Sequence, residues 1–113
     1  MKNNLELALK ISSDLITYCH HHGATQYDTK ITEGDEAIAY VIQAYPVEIT
    51  PEELKDIRKR LKAPRQRDVE HEFWELIGES EDYSELMLVG MSCDEAEIEY
   101  TDKNIKFMLL REY

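Results

Sequence analysis

The strongest constraint on the fold is a strict alternation in the last fifth of the sequence. Ala96, Ile98 and Tyr100 alternate with Glu95, Glu97 and Glu99; after Asp102-Lys103-Asn104, Ile105, Phe107 and Leu109 alternate with Lys106, Met108 and Leu110. A period of two places successive side chains on opposite faces of a strand, so each run has one face for a core and one for solvent. Two such runs joined by a short polar turn predict an antiparallel hairpin. Its inner face needs an apolar cover from elsewhere in the chain.

That cover is legible upstream. Leu5, Ala8, Leu9, Ser12, Leu15, Ile16 and Cys19 recur at steps of three and four, which marks one face of an amphipathic helix. The helix is expected from Asn3 or Asn4, either of which could cap it, to His22, with Gly23 as a left-handed stop. Residues 25–31 predict a strand with Tyr27, Thr29 and Ile31 on one side, and Glu33-Gly34-Asp35 a turn. Residues 37–45 are apolar on both faces and predict a central strand, paired with the preceding one as a second hairpin.

Thr50-Pro51-Glu52-Glu53 is the clearest local signal. Thr50 can accept a first-turn N–H, Pro51 stands where no N–H is needed, and Glu53 can bond back to Thr50. Leu54, Ile57 and Leu61 mark the buried face of this helix, and Ala63-Pro64 ends it. A third helix is expected over residues 65–77, with Val69, Phe73, Leu76 and Ile77 as its stripe and Gly78 as its stop. An acidic loop, 79–82, follows. Ser84 can cap a further helix carrying Leu86, Val89, Gly90 and Cys93; a buried strand over 86–91 is the alternative. The order α-β-β-α-α-α-β-β predicts a single α+β domain over residues 1–113. The expected architecture is a two-layer sandwich, with a mostly antiparallel four-stranded sheet of two hairpins and helices on one face.

Charge narrows the partners. Thirteen Lys and Arg against 24 Asp and Glu leave a net charge of −11, which repels phosphate backbones and anionic lipid heads and argues against nucleic acid and membranes. The apolar runs are far shorter than the roughly 20 residues that span a bilayer. The first residues lack a signal-peptide pattern, so a cytoplasmic location is expected. Arg58, Lys59, Arg60, Lys62, Arg65 and Arg67 form a basic island, read either as a solvated helix face or as a docking site for an acidic partner or phosphate. Trp74, beside Phe73, covers the core edge or belongs to a contact surface. Edge strands in so small a sheet also offer a route to a homodimer.

Catalytic patterns are sparse. His20-His21-His22 points in three directions on a helix, about 100° apart, so no metal site is expected there. The cysteines, Cys19 and Cys93, are in no CxxC pair and read as core residues. Gly23, Gly34, Gly78 and Gly90 are too far apart for a phosphate-cradling loop, no G-x-S-x-G is present, and His71 between Glu70 and Glu72 reads as surface.

The run Ser13-Asp14-Leu15-Ile16-Thr17-Tyr18-Cys19-His20-His21-His22-Gly23 resembles the nucleotide-binding helix of the GHKL superfamily. That superfamily includes histidine-kinase ATPase domains and anti-sigma-factor kinases, in which the run is typically Ser-Glu-Leu-Val-Thr-Asn-Ala-Val-Arg-His-Gly. Ile49-Thr50-Pro51-Glu52-Glu53-Leu54 is similar to the family's Ile-Pro-Pro-Glu-x-Leu stretch, and the element order is similar along nearly the whole chain. The resemblance implies a histidine-kinase-ATPase-like fold. It also implies a lost site: Tyr18 stands where the family has its magnesium-holding asparagine. Ile42-Gln43-Ala44-Tyr45-Pro46 replaces the Asp-x-Gly that reads adenine, and the acidic 79–85 loop followed by Leu86 to Gly90 replaces the glycine-rich lid. Asp14 alone keeps the family's acidic position. The expectation is therefore a non-catalytic regulatory or protein-interaction domain needing no cofactor, with another protein as partner, and with Arg58, Arg60, Arg65, Arg67 and Trp74 as candidate contacts. The alternative is a nucleotide-binding domain with an altered site at Asp14, Tyr18, His22 and Gly90.

Overall fold

A computed structural model describes residues 4–62, 89–90 and 92–113. The order of elements is α1 (Asn4–His21), β1 (Gln26–Glu33), β2 (Ala37–Tyr45), α2 (Pro51–Leu61), β3 (Glu95–Thr101) and β4 (Asn104–Glu112). The third helix expected over 65–77, the loop at 79–82, and Arg65, Arg67 and Trp74 lie outside the described residues. Val89 and Gly90 are helical.

The four strands form one open antiparallel sheet in the order β1-β2-β4-β3. Both expected hairpins are present, and they join through their second strands. Ile38, Tyr40, Ile42 and Ala44 of β2, Ile105, Phe107 and Leu109 of β4, and Ala96 and Ile98 of β3 are all buried. The register aligns them as one inner face: Tyr40 opposes Leu109, Ile42 opposes Phe107, and Phe107 opposes Ile98. Glu95, Glu97 and Glu99 lie outside, as their alternation predicts. The β3–β4 connection is a two-residue turn in which Asp102 and Lys103 both take positive φ, 51° and 68°. That conformation matches the right-handed twist of the flanking strands.

Both helices contribute to the same core as the inner sheet face, so the fold is α+β and compatible with two layers. α1 packs on β2 and β1, α2 on β3. α1 differs from expectation in its rotation. Leu7, Ala8, Ile11, Ser12, Leu15, Tyr18 and Cys19 are its buried residues, whereas Leu5 and Leu9 are 40% and 55% exposed. The apolar stripe of α1 is wider than the face the sheet can cover, and Leu5 and Leu9 fall on its uncovered flank. Ser12 Oγ is buried with no hydrogen-bond partner among the described residues.

The end of α1 follows the expected chemistry. Gly23 adopts φ +100°. Its N–H donates to His20 O and that of Ala24 to Cys19 O, both at 3.1 Å or close to it. These two bonds close the helix, and buried Ala24 packs where the motif wants an apolar residue. At α2 the full capping box forms: Glu53 N donates to Thr50 Oγ1 at 3.1 Å, and Thr50 N donates to Glu53 Oε1 at 2.9 Å. Pro51 opens the helix and Leu61 ends it, two residues before the Ala63-Pro64 stop.

Arg111 extends the alternation of β4 by one more inward position and is almost fully buried. Its Nε donates to Asn4 Oδ1 at 3.1 Å and its guanidinium to Ser92 O at 2.6 Å. Asn4, a cap candidate by sequence, thus ties the start of α1 to the last strand.

Candidate functional site

Asp14, Tyr18 and His22 are four residues apart and share one stripe of α1 and its end. Tyr18 is 3% exposed. Its ring lies 4.4 Å from the imidazole of His22, centroid to centroid, with the planes tilted by 32°. His22 Nδ1 sits 2.9 Å from Tyr18 O, which requires the proton on Nδ1 because a carbonyl only accepts. The other ring nitrogen is 3.7 Å from Glu53 Oε2. Asp14 is half-buried one turn before Tyr18.

Around this stripe the chain is stitched together by backbone bonds. Glu48 N donates to His22 O at 3.1 Å, and Val47 N to Lys103 O at 2.8 Å. Tyr100 donates its hydroxyl to Val47 O at 2.6 Å. The Glu53 carboxyl is held below its usual range, first by the Thr50 backbone N–H and also by the Thr50 hydroxyl and by His22. Its cap role and its neighbour His22 therefore favour the same ionised form.

The arrangement offers packing more than chemistry. His22 has a carboxylate neighbour in Glu53, and its other ring nitrogen is taken up by the Tyr18 carbonyl, which is not a nucleophile. The histidine run diverges: His20 Nδ1 meets the Tyr27 hydroxyl at 3.1 Å, while His22 turns to Tyr18 and Glu53. Among the described residues no three of His, Cys, Asp and Glu are grouped so as to hold a metal ion. Cys19 and Cys93 are buried and not joined in a disulfide, and the Cys93 Sγ lies 3.2 Å from the Tyr40 hydroxyl.

Gly90 sits elsewhere. A Cβ on it would stand 2.7 Å from Arg60 O and 2.8 Å from Leu61 O, so only glycine allows this approach to the C-terminal backbone of α2. His22 meets the opposite end of that helix, about 12 Å away along its axis at 1.5 Å per residue. The described part of the basic island stays largely at the surface, with Arg58, Lys59 and Lys62 exposed, while three of its side chains make contacts within the protein. An Arg58 guanidinium N–H reaches Ile98 O at 3.5 Å, Arg60 pairs with Asp56 at 3.0 Å, and Lys62 pairs with Glu97 at 3.0 Å.

Sequence reasoning missed Arg111, although the alternation of β4 continued through it. Among the described residues no helix is long and apolar enough to cross a membrane. No protein-family model matches the chain, and no curated protein matches it.

Proposed function

We propose that the chain is a non-catalytic regulatory or protein-interaction domain, related in fold to histidine-kinase-type ATPases, in which side-chain packing has replaced the nucleotide site. The observation that carries this reading is the burial of Tyr18 against His22. In the GHKL resemblance that position belongs to the amide that helps hold magnesium. A phenol ring has no amide oxygen to offer, and the ring fills space with core contacts. Phosphoryl transfer depends on metal and donors placed around the phosphates, so this exchange removes a necessary part. Gly90 supports the same reading, since its small size is used by the α2 backbone.

The partner in this proposal is another protein. A charge of −11 disfavours polyanions and anionic membranes. A cytoplasmic setting belongs to the same reading, in which Cys19 and Cys93 serve as buried core residues and not as a disulfide.

Thermal unfolding with and without ATP and magnesium tests the proposal. A ligand that binds the native state must raise the melting temperature. An unchanged melting temperature at saturating nucleotide is expected. A clear upward shift would overturn the proposal in favour of the nucleotide-binding alternative.

A further inference from the structure

Among the described residues β1 is an edge strand, and its eight side chains are all exposed except half-buried Ile31. Its backbone phase is set by two bonds. Gly34 N donates to Ala37 O at 2.8 Å, and Tyr113 N donates to Glu36 O at 3.0 Å. Antiparallel ladders alternate residue by residue. Odd-numbered residues of β2 therefore bond to β1 and even-numbered ones to β4. On β1 the N–H and C=O groups of Gln26, Asp28, Lys30 and Thr32 turn to β2. Those of Tyr27, Thr29, Ile31 and Glu33 turn to the open edge.

We infer that this edge is a homodimer interface, in which β1 pairs antiparallel with β1 of a second copy about a twofold axis through Thr29. The inference goes beyond the functional reading above and does not depend on it. Three centrally placed twofold registers use the outward backbone groups, and charge separates them. Centring on Asp28 sets Asp28 against its own copy. Centring on Lys30 sets Lys30 against its own copy. Centring on Thr29 sets Asp28 opposite the copy's Lys30 and Lys30 opposite the copy's Asp28. Like charges directly opposite destabilise a pair, and opposite charges stabilise it.

The same register also matches the other face. Tyr27 faces the copy's Ile31, Ile31 the copy's Tyr27, and Thr29 its own equivalent. Aromatic with β-branched and threonine with threonine are favourable cross-strand pairs. Tyr27, Thr29 and Ile31 bring their own outward N–H and C=O groups, so these three positions carry the inter-copy hydrogen bonds. Charges on an edge strand normally deter pairing; here they deter every central register but one.

α1 supplies a second, independent feature. Leu5 borders Glu33 and Gly34 at one end of β1, and His20 meets Tyr27 at the other. Leu5, Leu9, Ile16 and His20 share one helical flank, which therefore runs along the β1 side of the molecule. Leu5 is 40% and Leu9 55% exposed on that flank, and Tyr27 below it is 39% exposed. A copy joined at β1 brings its own α1 to the far side of the same trough. The leucines then widen the contact toward the roughly 800 Å² per partner of a standard interface. Two chains of charge −11 repel at long range, so moderate salt strengthens the association by screening.

The test is the mass in solution by sedimentation equilibrium on the whole chain, with charge reversals at two exposed positions. The wild type is expected at twice the chain mass. Asp28→Lys and Lys30→Asp are each expected to weaken the dimer roughly tenfold or more, because each makes two like-charged pairs. The double variant D28K/K30D restores every opposite pair, and so does an equimolar mixture of the two single variants; both are expected to recover the dimer. A monomeric wild type, single variants that dimerise unchanged, or a double variant that stays monomeric would each overturn the inference.

Discussion

The ring of Tyr18 covers the imidazole of His22 at 4.4 Å while the His22 ring nitrogen bonds back to the Tyr18 carbonyl at 2.9 Å. One residue thus supplies both the apolar and the polar partner of the other. Tyr18 carries most of the energy because it is buried, whereas His22 is half-buried at the helix end. Tyr18→Ala is expected to lower stability by about 3–4 kcal/mol, as for other buried aromatics. His22→Ala is expected to cost about 1 kcal/mol or less. Chemical denaturation of the two variants measures both. Equal losses would show that the pair, and not the core burial of Tyr18, dominates.

Gly90 gives a prediction of opposite sign to helix propensity. On an open helix surface Gly→Ala stabilises by about 1 kcal/mol. Here the added methyl would meet Arg60 O and Leu61 O below 3.0 Å, both backbone atoms that cannot rotate away. Gly90→Ala is expected to destabilise by about 1–3 kcal/mol, as overpacking does. A denaturation midpoint that rises instead would refute the close approach.

Lys103 holds φ 68° in the β3–β4 turn, a conformation unfavourable for a side chain with a Cβ. Lys103→Gly keeps the backbone acceptor that Val47 N uses and relieves the turn. It gives up the ion pair with Glu48, whose two side chains are exposed and which contributes little in water. A rise in unfolding free energy of about 0.5–1 kcal/mol is expected from thermal or urea denaturation.

Burial pushes the Cys19 thiol from 9.0 up to about 12. A raised acid is more easily deprotonated in the unfolded chain. Its contribution to stability is therefore complete below pH 9 and is lost as pH rises from there toward 12. The slope within that window is about 1.4 kcal/mol per pH unit for a single group. Stability measured against pH should fall on the alkaline side, and Cys19→Ala should flatten that limb. Native protein should also react slowly with thiol reagents at Cys19, since the thiolate is the reactive form.

Local chemistry was legible in the sequence because it is short-range. The Thr50–Glu53 capping box closes within three residues, Gly23 needs only its own φ, and the alternation of β3 and β4 is a period imposed by the strand itself. The stripe Asp14, Tyr18, His22 was readable as a stripe. That Tyr18 is buried and Gly90 clamped against Leu61 O was not, because both depend on residues brought together from distant parts of the chain.

The sequence by itself determined two hairpins, two capped helices and an acidic surface. Tertiary structure alone decided how they meet. The apolar stripe of α1 includes Leu5 and Leu9 as well as Leu7 and Ile11, more than one sheet face can cover. The docking angle on β2 therefore chose which leucines went inside. The strand order was likewise open, since either strand of the last hairpin could have paired with β2. β4 took that place, with Phe107 and Leu109 against Ile42 and Tyr40 and with Arg111 reaching Asn4, 107 residues away in sequence. β4 carries the larger apolar inner face, and the central position buries it from both sides. That choice leaves β3 as the edge opposite β1.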